Sequence, residues 1–241
     1  TEEAVRDLLR ARQHEREDIP RARHRLSKFL LRHGRVFGEG KAWTLRHDAW
    51  LGEQRFDEAA AQRTLGHYRA ELDMRLAELK LLDDEIHRIA GREPFAPTVA
   101  RLSALRGIAE LSALTIAVEV GDFARFESAP AFMAFVGLVP SERSSGERRS
   151  QGSITKAGNA HLRRVLVEAA WHARRRPNIG PALAKRLAGQ SPEVLSIATR
   201  AQGRLNRRYW RLVGRQKPSN VAVVAVAREL SGFCWALGRA A

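Results

Sequence analysis

The 241-residue chain has one cysteine, two methionines and two tyrosines. A single thiol closes no internal disulfide and builds no zinc cluster. Cys234, set in the apolar stretch 230–237, therefore reads as a small core residue in a reducing cytoplasm. No apolar run approaches the ~20 residues that span a bilayer. No basic amphipathic helix with a clean apolar face stands out either, so a membrane partner is not expected. Residues 1–18 are charged, which argues against a signal peptide, and Thr1 in place of Met suggests a fragment or a trimmed product. Walker loops, dinucleotide fingerprints and helical His pairs are lacking. Glu110, Glu119, Asp122 and Glu127 show no sign of converging, so no metal site is expected in this chain.

Acidic residues are scarce in one part only. Residues 1–95 hold 19 Lys and Arg against 18 Asp and Glu, whereas residues 96–241 hold 23 against 9. Nearly all of the +15 net charge is thus confined to the later part. A basic excess of that kind is the electrostatic footprint of a surface for a polyanion.

The pattern of the chain is mainly α. Residues 1–33 carry apolar positions at three-to-four spacing, from Val5 to Leu30. Pro20 is expected to kink or break that helix, with Asp18 capping the second piece. A basic stripe of Arg21, Arg25, Lys28 and Arg32 follows one face and reads equally well as a solvated surface. Trp43 and Trp50, seven apart, suggest packing anchors on one side of a helix. Residues 57–90 read as a long amphipathic or coiled-coil helix, stepping from Leu65 through Leu72, Leu79 and Ile86 to Ile89. Its stripe can pack on the first helix or pair with another subunit. Prolines 94 and 97 and the change in charge place a domain boundary near 95. That leaves a helical and coiled-coil region, 1–95, and a basic helical domain, 96–241.

Within the second region, residues 99–121 read as a helix–hairpin–helix around Gly107 or as an ordinary helical turn. Such a hairpin can offer backbone N–H groups to a phosphate. Ala109 stands where a second glycine would be usual. Asp122 reads as a helix cap or turn residue, and Phe126 to Leu138 reads as a short helix with Ser128 as a candidate cap. Residues 141–153 read as an exposed, basic loop or hairpin. It sets Ser144 and Ser145 among Arg143, Arg148, Arg149 and Lys156. Guanidinium groups relieve the charge that builds on phosphate oxygens during in-line attack, and a serine hydroxyl can be the attacking group. The same residues can simply bind phosphate. Asn159 is placed to cap the next helix, with Arg163 and Arg164 in its first turns. The triplet Arg174, Arg175 and Arg176, and the stripe Arg200, Arg204, Arg207, Arg208, Arg211 and Arg215, extend the basic surface. Tyr209 and Trp210 read as packing groups.

Gly107 to Phe126, Gly137-Leu138-Val139-Pro140, Ser144-Ser145-Gly146, and Ile154 to Asn159 followed by Leu162-Arg163-Arg164 resemble, in order and spacing, the C-terminal domain of transposases of the insertion-sequence 110, 116 and 902 family. Arg21 to Gly34 and Gly40 to Leu51 resemble that family's linker. The resemblance implies a serine-dependent recombinase that assembles as a homo-oligomer, guided by a structured RNA that pairs with donor and target DNA, in the bacterial cytoplasm at the nucleoid. It implies Ser145 as the nucleophile, with Ser144 next in line. It also implies a RuvC-like domain with four acidic residues ahead of Thr1. Mg²⁺ is expected only with that domain, and a chain lacking it supplies the serine half of a site. Residues 57–90 are the expected assembly helix. The alternatives are a nucleic-acid-binding remnant of a transposase and a structural RNA-binding protein.

Overall fold

The computed structural model describes residues 2–142 and 151–240. The fold is mainly α, with a two-stranded antiparallel sheet among the described residues. It divides into two compact units, Asp7–Glu85 and Thr1–Arg6 with Ile86–Ala241.

The first unit holds most of α1 (Glu2–Arg32), all of α2 (Leu45–Glu53) and most of α3 (Ala59–Ala90). Ile19, Ala22, Leu26, Phe29 and Leu30 of α1 share a core with Leu65 and Leu72 of α3. Ion pairs flank this seam. Arg12 meets Asp83 at 2.5 Å, Arg25 meets Glu71 at 2.5 Å, and Arg75 meets Asp18 at 3.1 Å and Glu15 at 3.3 Å. Residue numbers rise on α1 as they fall on α3, so the two helices lie antiparallel. The apolar stripe of α3 is therefore partly used within the chain, while Met74 and Leu81 remain more than 60% exposed.

Three local expectations change. The first helix runs through Pro20 unbroken. Pro20 and Arg16 are both exposed, so water can take the carbonyl that the missing N–H leaves free. Asp18 accepts from Arg21 at 2.8 Å and from Arg75, and caps nothing. Trp43 lies ahead of α2, because Thr44 is the cap and accepts from His47 N–H. Both tryptophans nevertheless pack, with their rings 4.8 and 5.6 Å from that of His47. Burial lowers the pKa of His47, and Asp48 opposes the shift in part.

The second unit contains α4 (Ala96–Ser103), α5 (Glu110–Val120), a 3-10 turn (Phe123–Arg125) and α6 (Ala129–Val136). Strands β1 (Pro140–Glu142) and β2 (Gln151–Ile154) follow. Then come α7 (Ala160–Ala170), a second 3-10 turn (Trp171–Arg174), α8 (Pro181–Leu187), α9 (Pro192–Val213) and α10 (Ser219–Arg239). Side-chain caps open several of these elements: Ser128, Asn159 and Ser191 each accept from a backbone N–H three residues on, and Asp122 from one two residues on.

α10 is the central helix, packed on α4, α6, α7 and α9. By length and composition it is apolar enough to cross a membrane, which the reading of the sequence passed over. Here Val223, Val226, Leu230, Cys234 and Leu237 are spent on the core. Burial also drives the Cys234 thiol far above its ordinary pKa, so it stays protonated. Trp210 departs from expectation: Tyr209 is buried, but Trp210 is half exposed.

Candidate nucleic-acid interface

The β1–β2 ladder pairs Pro140 with Ile154 and Glu142 with Gln151. These strands lead into and out of residues 143–150. Arg143, Ser144, Ser145, Arg148 and Arg149 all lie outside the described residues. The base of the hairpin is well defined. Gly137 closes α6 with φ +73, and Gly158 precedes α7 with φ +92. A Cβ on Gly137 would overlap the Ala157 carbonyl, and one on Gly158 would overlap the Phe135 carbonyl. Two chain segments thus cross at a separation that only glycine allows. Lys156 N–H donates to the Gly137 carbonyl at 3.2 Å, and Thr155 N–H to the Val139 carbonyl at 2.9 Å.

Asn159 joins this base to the core. Its Oδ1 accepts from Leu162 N–H at 2.9 Å, and its Nδ2 donates to Glu119 at 2.5 Å. Glu119 is buried on α5, where the other residues from Ala113 to Val120 are all buried too. Arg6 approaches the same carboxylate at 3.7 Å and donates to the Val118 carbonyl. A buried carboxylate is tolerable only with partners of this kind. Beside the hairpin lies a largely apolar cavity of about 490 Å³, rimmed by Gly152, Ser153, Lys156, Arg208 and Arg228.

The remaining predicted contacts separate into two groups. Arg163 donates to the Val136 carbonyl at 3.0 Å, so it helps to hold the end of α6. Arg164 pairs with Glu168 at 3.3 Å. Arg204 and Arg208 of α9 meet Glu229 of α10 at 2.7 and 3.2 Å, while Arg200, Arg207 and Arg211 of α9 and Arg215 just beyond it are exposed. The triplet is different again. Trp210 Nε1 donates to the Arg174 carbonyl, Asn206 donates to the Arg175 carbonyl, and Arg106 donates to the carbonyls of Arg175 and Arg176. The backbone of the triplet is fixed while all three side chains face solvent.

Gly107, with φ +92, lies so close to α7 that a Cβ would overlap the Ala169 carbonyl. It lines a cavity of about 360 Å³ with Arg106, His172, Arg175 and Arg186. Of that set the sequence had singled out only Gly107 and Arg175. Arg106, His172 and Arg186 are far apart in the chain and belong to no run or stripe, so no local pattern marks them.

The described residues do not fit a Mg²⁺ site. They contain no group of three His, Cys, Asp or Glu side chains able to hold a metal. Glu119 is committed to Asn159 and Arg6, Glu110 lies 2.6 Å from His87, and Asp122 caps its turn.

Residues 99–188 match the family described as Transposase IS116/IS110/IS902. Over 239 residues the chain is 42% identical to a candidate transposase of Sinorhizobium fredii, covering 99% of this chain and 58% of that protein. It is 32% identical over 219 residues to the transposase for insertion sequence element IS1533 of Leptospira borgpetersenii, covering 90% and 63%. Over 138 residues it is 30% identical to the transposase for insertion sequence element IS1328 of Yersinia enterocolitica, covering 57% and 35%. The chain thus spans about three-fifths of the length of the first two of these relatives.

Proposed function

Through residues 99–188 this chain belongs to the IS116/IS110/IS902 transposase family, and we propose that it cleaves and rejoins DNA strands during the movement of an insertion sequence. The observation that carries this reading is the family match itself, which takes in both hairpin strands and the whole 143–150 segment. The geometry around that segment is consistent with the task. The base from which the segment leaves is fixed by Gly137, Gly158 and Asn159, with exposed Lys156 beside it, which supports a role in bringing a hydroxyl to DNA.

The chemistry assigned to the hairpin is nucleophilic substitution at phosphorus. Ser145 Oγ attacks a DNA phosphodiester, and its proton passes to solvent. An Oγ–P bond forms as the P–O3′ bond breaks, and the released 3′ oxygen takes up a proton. The phosphoseryl link conserves the bond energy, so a 3′-hydroxyl can attack it and rejoin strands without ATP. Arg143, Arg148, Arg149 and Lys156 hold the phosphate and offset the charge that develops on it. Mg²⁺, a guide RNA and assembly into an oligomer belong to this proposal, with the metal bound by residues other than those described. Met74, Leu76 and Leu81 are the exposed large apolar groups of α3 available for assembly.

The test is capture of a covalent protein–DNA adduct with the full-length protein. Adduct is expected from the parent and from Ser144→Ala, and none from Ser145→Ala. An adduct that survives Ser145→Ala but is lost with Ser144→Ala moves the nucleophile by one residue. Binding with a steep salt dependence but no adduct from any form supports the binding-only alternative, which the exposed Arg174–Arg176 triplet favours.

A further inference from the structure

The cavity beneath the α4–α5 connection gathers positive charge without an acidic partner. Arg106 enters from that connection, His172 and Arg175 from the segment after α7, and Arg186 from α8. No ion pair joins Arg106, Arg175 or Arg186 to a carboxylate among the described residues. By contrast, Arg75 has Glu15, Glu71 and Asp18 beside it, and Arg204 and Arg208 share Glu229.

Two of these cations, Arg106 and Arg186, are held in place by the fold. Arg186 Nη1 donates to the Ile108 carbonyl and Nε to the Ala182 carbonyl at 3.3 Å. Arg106 Nη1 donates to the carbonyls of Arg175 and Arg176. Each of these two guanidiniums is anchored at one side and keeps further N–H groups, because arginine carries five donors. Arg175 contributes its carbonyl to this packing, not its guanidinium.

Such crowding is unfavourable. Burial, and the charge of Arg175 beside it, depress the pKa of Arg106. Burial first, then Arg175, Arg106, Arg186 and Arg174, depress that of His172. Like charges brought together without a counter-ion are a standing cost to the fold, which a bound anion would relieve. A volume of about 360 Å³ is ample for a phosphate group. The cavity is open to solvent, which suits a group that remains attached to a chain.

We propose that this cavity is a phosphate site, in which Arg106, Arg175, Arg186 and His172 take one backbone phosphodiester of a nucleic acid. It rests on the reading above only in expecting a nucleic-acid partner. It assigns that partner a fixed anchoring point separate from the 143–150 segment. The phosphate is non-reacting: it sets register and carries no base readout.

Two measurements on the full chain test it. Binding of a short DNA duplex and of an RNA strand of equal length is followed by fluorescence anisotropy across a salt series. Arg175→Gln should weaken binding several-fold and lower the log–log salt slope by about one unit on whichever nucleic acid uses the site. Lys185→Gln removes an equal charge next to Arg186 but outside the cavity lining, and should change the slope less. In the second measurement, inorganic phosphate is titrated while the His172 ring is followed by NMR. Phosphate should shift that ring and raise its pKa in the parent, and should do neither in Arg175→Gln. Equal losses in Arg175→Gln and Lys185→Gln, with no response of His172 to phosphate, overturn the site in favour of a diffuse basic field. A parent that binds neither DNA nor RNA defeats the proposed function, while the phosphate titration still decides the cavity.

Discussion

At the scale of residues, the most demanding contacts are made by groups with little or no side chain. Gly137 and Gly158 set the hairpin base, since each lies at positive φ with a carbonyl where a Cβ would stand. Gly158→Ala is expected to cost about 2–4 kcal/mol, combining backbone strain with a clash that the crossing segment cannot relieve. Urea denaturation of the purified chain measures this, and a loss within error of zero would mean that the crossing is loose. His172 gives a second case. Its pKa lies below the ordinary 6.5, so the folded state favours the neutral ring. The unfolded chain then binds the extra proton as pH falls through 6.5, and the folded state loses stability there. The contribution is fully present above 6.5 and lost towards the depressed value. Thermal unfolding between pH 5 and 7.5 should therefore depend less steeply on pH in His172→Gln than in the parent.

At the scale of elements, α1 carries a defect at its middle. Proline within a helix removes one hydrogen bond and crowds the preceding turn, at about 3 kcal/mol relative to alanine. Pro20 is exposed and its neighbours Ile19 and Ala22 are buried, so the core face of α1 holds the helix together across the gap. Pro20→Ala should stabilise the unit 7–85 by about 1–3 kcal/mol, read as a higher midpoint for that unit in calorimetry. A fall in the midpoint would show that the proline itself is needed for the packing of α1, where Phe29 lies with its ring centroid 5.4 and 5.8 Å from those of Phe56 and Tyr68. The hairpin shows the opposite economy. Two strands of three and four residues make a sheet too small to stand alone. They persist because α6 and α7 fix the two ends of the segment, through Gly137 and Asn159.

At the scale of the molecule, charge and chemistry are distributed unequally. The surplus of Lys and Arg falls in residues 96–241, and those arginines differ in use. Arg163 and Arg106 hold backbone carbonyls, Arg204 and Arg208 share Glu229, and Arg174 to Arg176 face solvent on a fixed backbone. Net charge therefore overstates the number of groups available to a polyanion. Changing all three of Arg174, Arg175 and Arg176 to Gln should lower the salt slope of DNA binding by about 3 units. Arg163→Gln should chiefly lower stability. The reverse outcome would mean that charge density, not exposure, sets the interface.

The helical class, the caps at Ser128 and Asn159, the packing of Cys234 and the order of motifs from Gly107 to Arg164 were all legible in the sequence. Each depends on neighbours within a few residues, or on periodicity, which a chain carries wherever it folds. Three-dimensional proximity between distant segments has no such local signal. The tertiary structure alone decided that the α3 stripe is shared with α1, that Pro20 leaves its helix whole and that α10 is a core helix. It alone brought Arg106, His172, Arg175 and Arg186 around one cavity. Packing chooses among faces that the sequence leaves equivalent, and the energy of a contact between remote residues exists only once the chain has closed on itself.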